Sequence, residues 1–293
     1  MNWATAAGAG LDLALGDPRW LPHPVRAIGW LIARQDALLP HTKLCGVLLW
    51  FVTVGAAAAV VAGTLQLAPL LSIYWIYSLV AIRDLDRHAA AVIGALPDLA
   101  AARERLSWIV GRDTANLSES EIIRATVETV GENLSDGIVA PLFYLALGGP
   151  VLMAAYKAAN TLDSMVGYRD DRYRDLGWFS ARADDWANWI PARLTAILVW
   201  VICLLPGFGL QRSIQVTLRD GASQPSPNAG YPEAAVAGAL GVQLGGTNTY
   251  RGVSNRKAHL GDAIHTLDAS LFPRLRVILY GVALLATAGA SLR

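Results

Sequence analysis

The chain has 293 residues, of which 54% are apolar types and only 16% are charged, with a formal net charge of +1. Soluble domains carry roughly 25% charged residues, so this chain is too poor in charge to cover a water-facing surface. The near-neutral balance leaves no basic field for nucleic acid, the apolar fraction excludes disorder, and two cysteines in apolar runs, Cys45 and Cys203, read as buried thiols rather than a disulfide scaffold.

The N-terminal stretch has no basic n-region and is interrupted by Asp12 and Asp17, so it does not read as a cleaved signal peptide. His23 lies in Pro22-His23-Pro24, which holds its backbone near extended geometry. Two readings of it stay open, a cobalt-side or substrate contact and a structural turn. From Leu44 to Ile82 there are 39 residues without a charge. A bilayer crossing takes roughly 20 apolar residues, so two spans are expected, 44–64 and 66–82, turning near Pro69. Trp50, Tyr74, Trp75 and Tyr77 suit the interfaces.

Residues 83–136 read as helical and charged. Leu85, Ala89, Val92 and Leu96 recur at helical spacing. His88 shares this segment with Arg83 and Arg87, and its role is open. Ser118 with Glu121 three residues on predicts a capping box at the start of another helix. Glu132, Asn133, Ser135 and Asp136 then stand directly before an apolar run, and the spacing of Glu132 and Asp136 allows both carboxylates on one helical face. The run itself, 138–157, is interrupted by Gly148-Gly149-Pro150 and is expected to span or to be re-entrant.

Lys157, Asn160, Thr161, Asp163 and Ser164 follow; spacings of three and four put Lys157, Asn160 and Ser164 on one side. Next come Arg169, Asp170, Asp171 and Arg172, then Arg182, Asp184, Asp185, Asn188 and Arg193. Two more spans are expected at 194–211 and 276–292. Between them, GASQPSPNAGYPE (221–233) leads into a helix of small residues, which permits close backbone approach. No alternation long enough for a sheet is evident, and His41, His259 and His265 read as surface residues.

The expected fold is all-α: one membrane-embedded domain, 1–293, a polytopic helical protein with re-entrant or broken helices. Lys and Arg are plentiful in 83–136, 157–193 and 212–275, so the positive-inside rule puts all three on the cytoplasmic side of the cell membrane. An extracytoplasmic Arg172 would sink that topology. Carboxylates and Asn oxygens in this density suit Mg²⁺, and neighbouring Arg and Lys suit phosphate. No P-loop, zinc spacing, Ser-centred elbow or Rossmann fingerprint is present.

Several long motifs resemble those of the adenosylcobinamide-phosphate synthases, membrane proteins of cobalamin biosynthesis. They are Gly16-Asp17-Pro18 with Pro22-His23-Pro24-Val25, residues 109–114, Val127-Glu128-Thr129, 132–137, 140–142, 157–168, 181–185, 191–195 and 226–233, in order over nearly the whole chain. Leu134, Gln224 and Ala258 depart from the family pattern, and Gln224 stands where a His is frequent.

The resemblance implies ATP-dependent amide formation between adenosylcobyric acid and 1-aminopropan-2-ol or its O-phosphate. ATP and Mg²⁺ are implied, with activation through an acyl phosphate and a general base for the amine. On it, Glu132, Asp136 and Asp163 are candidate Mg²⁺ ligands, with Asn133 and Asn160 as neutral oxygen partners. Lys157, Arg112 and Arg193 are candidate phosphate contacts, Asp184 or Asp185 a ligand or the base, and Asn228 and Glu233 the frame of an anion site at a helix start. Implied partners are the corrinoid, the amino alcohol, the bilayer and other cobalamin-assembly enzymes. Two alternatives stand beside this reading: a non-enzymatic sensory or regulatory relative, and a corrinoid or cation transporter.

Overall fold

The computed structural model describes residues 2–168 and 170–292; Arg169, one of the charged residues singled out above, lies outside the described residues. The chain opens with α1 (Asn2–Leu15) and α2 (Pro24–Asp36). Pro24 sits in the first turn of α2, where its missing N–H has no partner to lose. Helix α3 (Lys43–Leu67) is capped by Thr42, whose Oγ1 accepts from the Cys45 N–H at 3.3 Å. Its 25 residues rise about 37 Å, enough for a hydrocarbon layer of roughly 30 Å.

The segment expected as a second crossing, 66–82, differs. It holds α4 (Leu71–Leu79), only nine residues, which rises about 13 Å and cannot cross. The chain breaks at Val80, and the buried carboxylate of Asp12 accepts the N–H groups of Ile82 and Arg83 at 3.0 and 3.1 Å, starting α5 (Ile82–Gly94) from a distant helix. An uncharged run gives no sign of such a stop.

Helix α6 (Leu99–Ser107) is capped by Asp98. Helix α7 (Glu119–Asn133) begins at the expected capping box, where the Glu121 carboxylate accepts from the Ser118 backbone N–H at 2.8 Å and its hydroxyl at 2.7 Å. It passes through a π-helical segment, Leu134–Val139, into α8 (Ala140–Val166). Helix α8 is broken where expected: Gly149 adopts φ 70°, ψ −167°, a conformation open only to glycine.

Then follow α9 (Trp178–Ala187), α10 (Trp189–Ile202), α11 (Leu210–Asp220) and α12 (Gly230–Leu240). At 14 residues α10 is shorter than the span expected at 194–211, and it ends before Pro206-Gly207. The small-residue helix α12 stops at Gly241, whose φ is 72°.

An antiparallel hairpin then departs from the expectation of no sheet. It pairs β1 (Leu244–Tyr250) with β2 (Val253–Leu260). The turn is Arg251-Gly252, with φ 50° and 78°. Positive φ at both positions marks a type I′ hairpin, but Arg in the first disguises it in the sequence. Helix α13 (Leu271–Ser291) closes the chain. Among the described residues, three helical runs are long and apolar enough to cross a membrane: Lys43–Leu67, Glu119–Val166 and Leu271–Ser291. The fold is all-α and polytopic.

The chain was expected as one domain; it packs as two compact units. Unit 1 is Met1–Arg83, Asp136–Trp189 and Ala286–Arg293, and unit 2 is Asp84–Ser135 and Ile190–Leu285. In unit 1, α2, α3 and α8 share a core of Ile28, Ile32, Leu49, Ala158, Leu162 and Val166. In unit 2, α12 is buried along its whole length. Its small side chains let it press on α11, so that the Ser213 hydroxyl donates to the Ala235 carbonyl at 2.7 Å. Buried Asp86 of α5 takes Arg276 of α13 at 2.7 Å and Tyr280 at 2.7 Å, the paired state an acidic group in an apolar setting requires.

Candidate functional site

Unit 1 gathers a polar cluster from three elements. Asp136 comes from the π-helical segment, a geometry that recurs at functional sites. Lys157 and Asn160 come from one face of α8, as their spacing predicts. Asp184 lies on α9 and Asn188 one turn on, at its C-cap. The Asn160 amide donates to Asp136 Oδ2 at 3.1 Å and to Asp184 Oδ1 at 3.2 Å. Asn188 donates to Asp184 Oδ2 at 3.0 Å and accepts from the Tyr156 hydroxyl at 2.8 Å. The Lys157 ammonium donates to the Asp136 carbonyl at 3.2 Å, and the carboxylates of Asp136, Asp184 and Asp17 lie in its field. Burial pushes the Asp184 carboxyl well above the usual carboxylate range, and the charges of Asp136 and Asp163 add to the shift against the two asparagine bonds.

Unit 2 holds a different arrangement. Arg124 and Glu128 stand four apart on α7. Glu128 accepts from Arg112 Nη2 at 2.5 Å, from Arg124 Nη1 at 3.1 Å and from the Gly245 N–H at 2.8 Å. Asn248 Oδ1 accepts from Arg112 at 2.8 Å and from Arg124 at 3.2 Å. Arg124 also donates to the carbonyls of Gly245 and Thr247, tying α7 to β1. Beside this network, burial raises the Glu233 carboxyl well above its ordinary value; Glu132 adds to the shift and Lys257 opposes it. Burial works against the Lys257 ammonium, yet Glu233 holds it above its ordinary value. Arg193 donates to Asn228 Oδ1 at 3.3 Å and lies 4.1 Å over the Tyr231 ring.

The residues singled out from sequence therefore fall in two places. Lys157, Asn160, Asp163, Asp136 and Asp184 belong to the unit 1 cluster. Asp185 pairs loosely with Arg182 at 3.9 Å, and His23 contacts Asp17 at 3.2 Å in the same unit. Arg112, Glu132, Asn133, Arg193, Asn228 and Glu233 lie in unit 2. The Arg112 side chain is only 7% exposed and fully engaged by Glu128 and Asn248. Asn133 donates back to the Thr129 carbonyl at 2.9 Å.

Glu132 lies in the last turn of α7 and Asp136 in the π-helical segment that follows. Among the described residues no group of three or more His, Cys, Asp or Glu side chains is placed to hold a metal ion. Sequence reasoning quoted Asp17, Glu128 and Asn188 without assigning them a role and passed over Arg124 and Lys257. Only Arg124 and Glu128 carried a local signal, their four-residue spacing on a predicted helix.

Residues 5–277 match the model of a family described as CobD/Cbib protein. A Cobalamin biosynthesis protein CobD of Pelobacter propionicus is 48% identical, covering 94% of this chain and 89% of its own. One of the same name from Geobacter metallireducens is also 48% identical, over 92% and 90%. A Cobalamin biosynthesis protein CbiB of Salmonella arizonae is 43% identical, over 95% and 92%. No solved structure matches the chain.

Proposed function

The chain belongs to the CobD/Cbib protein family, and from that premise we propose that it works in cobalamin biosynthesis as an adenosylcobinamide-phosphate synthase. It joins a propionate carboxylate of adenosylcobyric acid to 1-aminopropan-2-ol or its O-phosphate. A carboxylate and an amine do not condense usefully in water, so ATP activates the acid as an acyl phosphate, and the neutral amine displaces inorganic phosphate.

The observation that carries this reading is the gathering of carboxylates and one ammonium in unit 1 among the described residues: the charges of Asp136, Asp184 and Asp17 act on Lys157, and Asp163 adds its charge at Asp184. Such a donor set fits Mg²⁺ arriving with a nucleotide, since this ion commonly takes one or two protein carboxylates and fills its shell with water and phosphate oxygens. Asp136 and Asp163 would hold it, and it would offset phosphate charge. Lys157 places an ammonium for a phosphoryl oxygen. Asn160 and Asn188 fix Asp184 in a single orientation, as a positioned active-site group requires. We place this cluster on the cytoplasmic side of the cell membrane, in keeping with the basic residues of 157–193.

The test is direct. The purified protein is incubated with adenosylcobyric acid, Mg-ATP and either free or phosphorylated aminopropanol, and the product is weighed by mass spectrometry. An ATP-dependent amide is expected; its absence with both amines sinks the reading.

A further inference from the structure

Amide formation needs a group to take the proton that the attacking nitrogen loses. We propose that His23, oriented by Asp17, is the general base of that step. The inference rests on the synthase reading above and deepens it.

The geometry singles out this pair. His23 Nε2 lies 3.2 Å from Asp17 Oδ2, and their side chains are only 14% and 23% exposed. The backbone around His23 is held on both sides. The Pro22 carbonyl accepts from the Tyr74 hydroxyl at 2.7 Å, and the His23 carbonyl accepts the N–H groups of Arg26 and Ala27 at 3.1 and 3.2 Å. His23 is the N-cap residue of α2, yet its side chain makes no capping bond. The helix therefore does not use the imidazole.

With the Nε2 proton turned to Asp17, the lone pair is on Nδ1, and among the described residues Nδ1 makes no hydrogen bond. A carboxylate behind one ring nitrogen and an open lone pair on the other is the arrangement that orients an imidazole base and stabilises the imidazolium it becomes. The contact with Asp17 is within ion-pair range but off the N–H axis. Catalytic contacts often tighten only when substrate is bound.

The pair also borders the carboxylate cluster, because the Asp17 charge acts on the Lys157 ammonium. The carboxylates considered from sequence are already engaged by other side chains. Both Asp184 oxygens already accept from Asn160 and Asn188, and Asp185 faces Arg182. The other titratable groups around the pair are Arg19 in its own loop, Arg26 on α2, Tyr74 and Tyr77 on α4 and Lys157 on α8.

In the step, the amine lone pair forms the C–N bond at the acyl-phosphate carbon. The C–O bond to phosphate breaks, and its electron pair leaves on inorganic phosphate. The proton lost by nitrogen passes to His23 Nδ1, and Asp17 stabilises the resulting cation.

The experiment uses the full chain in detergent and follows amide formation against pH, with a parallel trap. Hydroxylamine, a nucleophile neutral at assay pH, replaces the amino alcohol and reports activated acid as the hydroxamate. His23→Ala is expected to slow amide formation about 10²–10⁴-fold, to regain part of it with added imidazole, and to keep forming hydroxamate. Asp17→Asn is expected to slow the same step while hydroxamate still forms. Near wild-type amide formation in His23→Ala, or loss of hydroxamate in parallel with the amide, overturns the proposal. If His23→Ala does not reach the membrane, Asp17→Asn decides, and amide formation at the wild-type rate overturns the proposal. A wild-type protein that forms neither product takes the synthase reading down together with this one; hydroxamate without a base-dependent amide removes only the dyad.

Discussion

The two units handle charge in different ways. In unit 2, Glu128 takes the guanidinium groups of Arg112 and Arg124 and a backbone N–H, and Lys257 lies in the field of Glu233. In unit 1, the carboxylates of Asp136, Asp184 and Asp17 act on the Lys157 ammonium, and Asp136 and Asp163 act on buried Asp184. A carboxylate bonded to two guanidinium groups and a backbone N–H locks one conformation and offers little to a ligand. A carboxyl that burial and neighbouring negative charge hold above its ordinary range, as at Asp184, stores an electrostatic cost that a cation or a proton relieves, the usual condition of a working site. On this contrast the unit 2 network braces α7 to β1, and the chemistry proposed above falls to the unit 1 cluster.

That contrast can be broken by mutation. The largest effect is expected at Glu128. Glu128→Ala leaves Arg112 and Arg124 buried without their carboxylate, at about 3–5 kcal/mol. A thermal melt in detergent close to that of the wild type would show that the network is no brace. Asp163→Ala should do the reverse, cutting amide formation about 10³-fold, near 4 kcal/mol at the barrier, while the protein still inserts and melts normally. Turnover near the wild-type level would remove Asp163 from the site.

A smaller, pH-dependent effect is expected at Asp184. Its folded-state carboxyl is held above the usual range. The folded chain therefore keeps a proton the unfolded chain has released, and stability falls as pH rises from about 4 toward the raised value. Asp184→Asn should flatten that decline, melting higher than the wild type at alkaline pH while losing activity. Equal slopes in the two proteins would contradict an electrostatically loaded cluster. Least of all, Arg251→Gly relieves the left-handed backbone at φ 50° and should raise stability by about 0.5–1 kcal/mol. A destabilised variant would mean that the Arg251 side chain matters more than its backbone.

Some of this was legible from local pattern. The capping box at Ser118 and Glu121, the break at Gly148-Gly149-Pro150 and the shared face of Lys157 and Asn160 follow from rules that span four residues or fewer, and each appears in the structure. What failed depended on distant partners. The 66–82 run stops at Leu79 because Asp12, 70 residues away from Ile82, caps the next helix. The contact of Arg112 with Asn248, 136 residues on, has no local signal either. The hairpin was missed because its turn carries Arg where Asn or Asp is the usual signal.

By itself the sequence determined a membrane protein, an all-α fold, one helix at α3 long and apolar enough to cross and membership in a family, since composition, run length and motif order are properties of the chain alone. Only the tertiary structure decided which distant groups meet the charges. Partnering depends on which distant segments a packed core brings within about 3 Å, the reach of a hydrogen bond, and no spacing rule along a chain carries that distance.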